Sequence, residues 1–407
     1  MQKNIIKNIY SKRVVSVGLF HAFTLCQTLL LNKIFTNYWN KTESGVYFLI
    51  LTISVVVSSV SLNPLNQWMS RAISQSNSLD KKLADKIYFV IIIIFAVSVA
   101  LSFILESAFY FAITIFCFSE LQRLYLNTVF NSRSKLKDLV LYTFINGCVR
   151  VSSTIFVIDY SDTPSIERCI IFMSLLSIFF STIYALAREF QSYKCTSVEG
   201  KLNLNSFASF FVPLMFSSGL AIFREQYPRI MFGRVGDSAS ITDFSVMILI
   251  ATLIPISIQL LITTSFSPVY YKLFAEDTNY ANKRLKKISN LAFVFSSFYF
   301  LLFFVCGDNL ISLLNNKEFV TLKPFIIALV FSYSIYIWGN IRTLYFLAGS
   351  FTTHLMVINV ISAILSVFSY EYTYEIYGFS GVAISLATIN VVFSLICFFS
   401  LKVKGFK

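Results

Sequence analysis

Apolar runs of about 20 residues recur along the whole chain, and no other feature limits its possible folds so strongly. A run of that length, coiled at 1.5 Å per residue, spans the roughly 30 Å hydrocarbon core of a bilayer. Lipid offers no partner for backbone N–H and C=O groups, so continuous apolar runs of this kind cross as helices. The charge content agrees: 13% of the 407 residues are Asp, Glu, Lys or Arg. A soluble domain carries roughly twice that share. The expected fold class is therefore all-α and integral to a membrane, with no soluble domain.

The runs predict about twelve transmembrane helices, near 14–36, 44–68, 86–105, 107–129, 138–158, 165–187, 206–226, 241–264, 288–307, 324–347, 352–372 and 379–401. The first, with Gly18, His21, Gln27 and Lys33, is too polar and too long for a signal-peptide core, and reads as a retained helix. Only Glu106 and Ser107 separate the third and fourth. The polar stretch from Arg188 to Asn205 divides the chain into two six-helix halves, 1–198 and 199–407. Ser44-Gly45-Val46-Tyr47 opens the second run and Ile241-Thr242-Asp243-Phe244 the eighth, with Pro64 and Pro268 near their far ends. That correspondence suggests an internal repeat of the kind transporters show.

Loop charges test the count. With the N-terminus cytoplasmic, 22 Lys and Arg fall on the inner side and 8 on the outer side. This positive-inside bias places both termini in the cytoplasm. It also explains the net charge of +13, which in a soluble chain would have pointed to nucleic acid; no nucleic-acid partner is expected.

Chemistry-bearing motifs are sparse. There is no Walker-type glycine loop, H-E-x-x-H or G-x-S-x-G, and seven scattered cysteines with two histidines make a metal site improbable. No catalytic residue and no cofactor is expected. The longest predicted outer loop, Glu225 to Ser240, leaves no room for a large lobe outside the membrane.

The informative residues are ionisable groups inside apolar runs, each costly in hydrocarbon unless it meets water or a partner. Glu120 and Arg123 share a helix face at i,i+3. Arg150 has no acid nearby in sequence, and either lines a cavity or pairs with Glu120 across helices. Arg224 and Glu225 close the 206–226 run, where Arg224 can snorkel or face a cavity. The same two readings apply to Arg342. His21 is a packing histidine or a proton-sensitive coupling group. Pro213 and Pro255 are hinge candidates, the alternative being static bends.

Several stretches resemble the polysaccharide exporters of the O-antigen flippase (Wzx) type, within the MOP superfamily that also holds the MATE multidrug exporters. Glu43-Ser44-Gly45-Val46-Tyr47 resembles that family's start of the second helix, and Phe266-Ser267-Pro268-Val269-Tyr270-Tyr271-Lys272-Leu273 its end of the eighth. Leu347-Ala348-Gly349-Ser350-Phe351-Thr352 resembles its turn between helices ten and eleven. Tyr377-Gly378-Phe379-Ser380-Gly381-Val382-Ala383-Ile384-Ser385 resembles its start of the last helix. An Asp-Arg pair commonly follows the family's seventh helix; here Arg229 matches the arginine, but Pro228 takes the aspartate position. The resemblance implies a MATE-like architecture of two six-helix lobes in a bacterial inner membrane. It implies translocation of an undecaprenyl-diphosphate-linked O-antigen or capsule repeat unit to the periplasmic leaflet by alternating access, driven by an H+ or Na+ gradient. A polysaccharide polymerase and a chain-length regulator would be protein partners, beside membrane lipid. A diphosphate crossing a bilayer needs cations in a wet cavity. Arg150, Arg224 and Arg342, then Arg123 and Lys33, are the candidates, with Glu120, His21 and Glu225 as coupling or ion-pair groups. Two rivals remain: an integral-membrane polymerase, and a cation-coupled drug exporter of the same superfamily.

Overall fold

A computed structural model describes residues 2–76, 99, 102, 107–132, 135–161, 164–189, 204–349 and 351–403. Apart from residues 99 and 102, the predicted 86–105 helix lies outside the described residues, as does most of the polar stretch after Arg188. The described chain is helical throughout: α1 (Gln2–Tyr38), α2 (Lys41–Ser76), α3 (Ala108–Ser132), α4 (Leu136–Tyr160), α5 (Ile166–Glu189), α6 (Leu204–Arg234), α7 (Ser238–Glu276), α8 (Thr278–Leu314), a 3-10 turn (Lys317–Leu322), α9 (Lys323–Arg342), the short α10 (Leu344–Ala348) and α11 (Thr352–Val403). Eight stretches among these are long and apolar enough to cross a membrane, and the chain is a multi-pass membrane protein.

The 52-residue α11 is two crossing helices rather than one. At Gly378 the backbone takes φ 59°, ψ −140°, which a side chain would strain. The chain folds back there, so that Ser385 Oγ lies 3.0 Å from Ser369 Oγ and 2.9 Å from Thr373 Oγ1. A Cβ on Gly381 would fall 2.4 Å from the Thr373 carbonyl oxygen. The two glycines of the Gly378–Gly381 stretch therefore make the predicted division between 352–372 and 379–401.

Several helices outrun their apolar segments. α6 passes through Pro213 and Pro228 to Arg234, and α7 passes through Pro255 and Pro268 to Glu276. Hence the expected outer loop from Glu225 to Ser240 shrinks to Val235–Asp237, where Asp237 caps α7 by accepting from Ser240 N at 3.0 Å. Likewise Asp277 alone separates α7 from α8, accepting from Tyr280 N. The apolar run marks where a helix enters lipid; capping residues mark where it ends. A proline deletes one backbone bond and need not break a helix whose neighbours hold it.

α3, α4 and α5 pack together through polar bridges, as Gln122 Nε2 donates to Thr182 at 2.9 Å and Asn146 Nδ2 to Ser177 at 3.0 Å. Among the C-terminal helices, Ser296 on α8 meets Ser334 on α9, and Asn359 on α11 donates to Ser217 on α6. Close approach of helices through small polar residues is how membrane bundles cohere without a hydrophobic drive.

The two sets of helices join along α1 and α2 on one side and α6 and α7 on the other. The Lys41–Asp243 ion pair (2.8 Å) ties the start of α2 to the start of α7, and Thr242 donates to the Lys41 carbonyl at 2.6 Å. At Gly45 the helices nearly touch: a Cβ there would lie 2.3 Å from the Ser238 carbonyl oxygen. Asn316 donates to the Thr36 carbonyl at 2.9 Å. All these contacts sit at one end of the molecule, the end carrying the α1–α2 and α6–α7 turns.

Candidate functional site: buried arginine centres

The side-chain charges buried to less than a tenth exposure, among the described residues, are all arginines: Arg150 at 3%, Arg224 at 0%, Arg229 at 7% and Arg342 at 4%. They form three centres.

The first lies between α3, α4 and α5. Glu120 accepts from Arg123 Nη2 at 2.6 Å and Nε at 3.1 Å, the i,i+3 pairing expected from sequence. Its other oxygen accepts from Arg150, which also donates to Ser177 Oγ at 3.2 Å and Ser119 Oγ at 2.8 Å. Of the two sequence readings of Arg150, this is the pairing across helices. Two guanidiniums share one carboxylate, so the centre keeps one positive charge.

The second lies among α6, α7, α9 and α11. Arg224 does not snorkel: it is enclosed, with its Cζ 4.4 Å from the Phe393 ring centre and 5.2 Å from that of Tyr336. Its nearest carboxylate is Glu225, 3.4 Å from Nη2. One turn on, Arg229 donates to Ser245 Oγ at 2.7 Å and to Gln226, which is also within 3.4 Å of Thr52 on α2. Sequence reasoning counted Arg229 among outer-loop charges. The missed signal was the lack of a turn motif before Gly236-Asp237, which leaves Pro228 alone as an apparent break.

The third is Arg342 at the end of α9. It donates to Ser289 Oγ at 2.9 Å and Asn290 Oδ1 at 2.8 Å, under a Trp338 ring 3.9 Å away. These partners are neutral, and no acid pairs with it among the described residues.

The remaining candidates lie apart from these centres. Lys33 donates to the Leu313 carbonyl at 2.9 Å, where a cation meets the negative end of α8. His21 on α1 sits 3.3 Å from Thr264 on α7. Pro213 and Pro255 lie inside unbroken α6 and α7. No group of three His, Cys, Asp or Glu able to hold a metal occurs among the described residues.

No protein-family model matches the chain, and no curated protein matches it by sequence. Solved structures do match. A Vibrio cholerae MATE transporter superposes with a TM-score of 0.70 at 13% identity, over 98% of this chain and 99% of that one. A multidrug resistance MATE family transporter of the MOP superfamily, in an outward-facing conformation, gives 0.72 at 10% identity over 97% and 95%. A MOP superfamily transporter from Pyrococcus furiosus, described as having a binding pocket of reverse polarity, gives 0.71 at 12% over 98% and 95%. The fold is MATE-like over the full length.

Proposed function

We propose that this chain is a flippase that carries an undecaprenyl-diphosphate-linked oligosaccharide, an O-antigen or capsule repeat unit, from the cytoplasmic to the periplasmic leaflet. One observation carries the reading: among the described residues, the most deeply buried charges are arginines, and the acids beside them are too few to neutralise them. An isolated cation in hydrocarbon costs about 3 kcal/mol by insertion scales, so an uncompensated set calls for an anionic partner. A diphosphate is a partner of the right sign, and guanidinium grips it in a bidentate manner.

The architecture fits the task. Two six-helix lobes, 1–198 and 199–407, meet at the end that the loop charges place in the periplasm. Lys41–Asp243, Gly45 against Ser238 and Asn316–Thr36 seal that end. In this reading, that end is the one that parts when the passenger is released. Release would break these few contacts and open the lobes outward, with an H+ or Na+ gradient supplying the drive. The polymerase and chain-length regulator would take up the product.

The structural neighbours favour a second reading, cation-coupled drug export, since two of those compared are MATE transporters. Deleting the gene in the producing cell separates the two. The flippase reading expects the lipid-linked unit to accumulate on the cytoplasmic leaflet and surface glycan to be lost. Unchanged glycan with raised drug sensitivity would establish the second reading, and a unit that reaches the periplasm unpolymerised would indicate a polymerase.

A further inference from the structure

The first turns of α8 carry an apolar strip and a basic one on the same face. Leu291, Val294, Phe295 and Phe298 recur at i,i+3 and i,i+4 spacing, and each is more than half exposed. The exposed apolar face continues to Leu313, about 33 Å from Leu291 at 1.5 Å per residue, which matches the hydrocarbon core of a bilayer. Leu291 therefore marks the edge of that core. Trp338 marks it independently: its indole N–H donates to Asn290 at 2.9 Å, and tryptophan favours the headgroup level.

Beyond that edge the same face continues into Lys287 and Arg284, four and seven residues before Leu291. At about 6 and 10 Å past the core they stand at headgroup depth. Lys283 and Lys286 beside them are exposed as well, while Ala281, Leu285 and Ser289 turn inward. Arg284 Nε donates to the Tyr280 hydroxyl at 2.9 Å. The end of α11 adds Lys402, whose ammonium lies 5.3 Å from the Phe398 ring centre, and that ring stacks on Trp338 at 5.8 Å. None of these five cations pairs with a carboxylate among the described residues. The far end of α8 differs, since Asp308 there is paired with Lys323 at 2.8 Å.

Loop cations can set topology from any exposed position. Arg284 and Lys287 stand instead in line with a lipid-facing strip, at the depth of its phosphates. We propose that the start of α8 and the end of α11 bind one anionic phospholipid, its phosphate held by Arg284 and Lys287 and an acyl chain lying along Leu291, Phe295 and Phe298. A zwitterionic lipid offers the same phosphate oxygens but brings its own cation, so unpaired basic residues select net negative charge. The site lies at the end of α7 and α8 opposite the Lys41–Asp243 seal and apart from the buried arginine centres, so it holds whatever passenger crosses.

The test titrates phosphatidylglycerol and phosphatidylcholine onto the full-length protein in detergent micelles and counts bound lipid by native mass spectrometry. Tighter binding of phosphatidylglycerol is expected. Arg284→Gln combined with Lys287→Gln changes two exposed side chains and should weaken that binding by about thirtyfold, the loss of two cations each worth about 1 kcal/mol at an anionic surface. Lys135→Gln combined with Lys137→Gln removes the same charge at the start of α4 and should leave the phosphatidylglycerol titration unchanged. Equal binding of the two lipids, or equal losses in the two double variants, would overturn the proposal. Displacement of phosphatidylglycerol by an equimolar polyprenyl diphosphate would overturn it too, and would assign this face to the passenger.

Discussion

A guanidinium inside a bilayer needs an explanation at the level of single atoms, and the three centres give three different ones. At Glu120 the explanation is shared: one carboxylate serves Arg123 and Arg150, and serines complete the fork. Removing that carboxylate strands two buried cations. Glu120→Ala should therefore lower stability by about 3–5 kcal/mol, the usual effect of deleting one partner of a buried pair. Chemical unfolding in micelles checks this; a loss under about 1 kcal/mol would mean that water already reaches the cluster. Arg150→Ala is expected to impair export at normal protein levels, and unchanged surface polysaccharide in that variant would remove Arg150 from the path. At this scale the sequence was partly legible. The Glu120–Arg123 pair followed from helical spacing, and pairing of Arg150 with Glu120 was one of two open readings. The cage around Arg224 was not legible, because Tyr336 and Phe393 come from helices more than 100 residues away in the chain. The neutral setting of Arg342 was hidden for the same reason, since Ser289 and Asn290 belong to α8.

At the scale of elements, hydrophobicity located the helices well and their ends poorly. Lipid selects apolar residues only over its own thickness, while caps such as Asp237 and Asp277 decide how far a helix projects beyond it. Pro213, Pro228 and Pro255 attract attention in a sequence, yet α6 and α7 run through all three. Glycine proved the better guide. Gly45 lets α2 and α7 approach to backbone contact, so Gly45→Val should push apart the ends that Lys41 and Asp243 tie together. Spin labels on the neighbouring turns should report a longer and broader distance distribution in this variant. An unaltered distribution would show that the close approach does not hold this end shut.

For the molecule as a whole, identities of 10–13% with TM-scores of 0.70–0.72 show how little sequence this fold demands. What persists is the pattern of apolar runs, which is why an all-helical, multi-pass membrane fold could be expected from one sequence. Substrate does not follow from that pattern; the proposed passenger rests on the charges that the helices bury. Alternating access makes its own prediction here. A Lys41→Cys, Asp243→Cys pair, oxidised to a disulfide, should hold the outer end closed and stop transport, with recovery on reduction. Transport that continues through the crosslinked form would exclude opening at this end.

The decisive measurement follows a fluorescent polyprenyl-diphosphate-linked oligosaccharide, placed in one leaflet of liposomes that hold the purified protein. Under an imposed ion gradient the labelled lipid should appear in the opposite leaflet only when the protein is present, and far more slowly with Arg150→Ala. Movement of a cationic drug instead, with the diphosphate lipid left where it began, would contradict the reading of these arginines as partners for an anionic passenger.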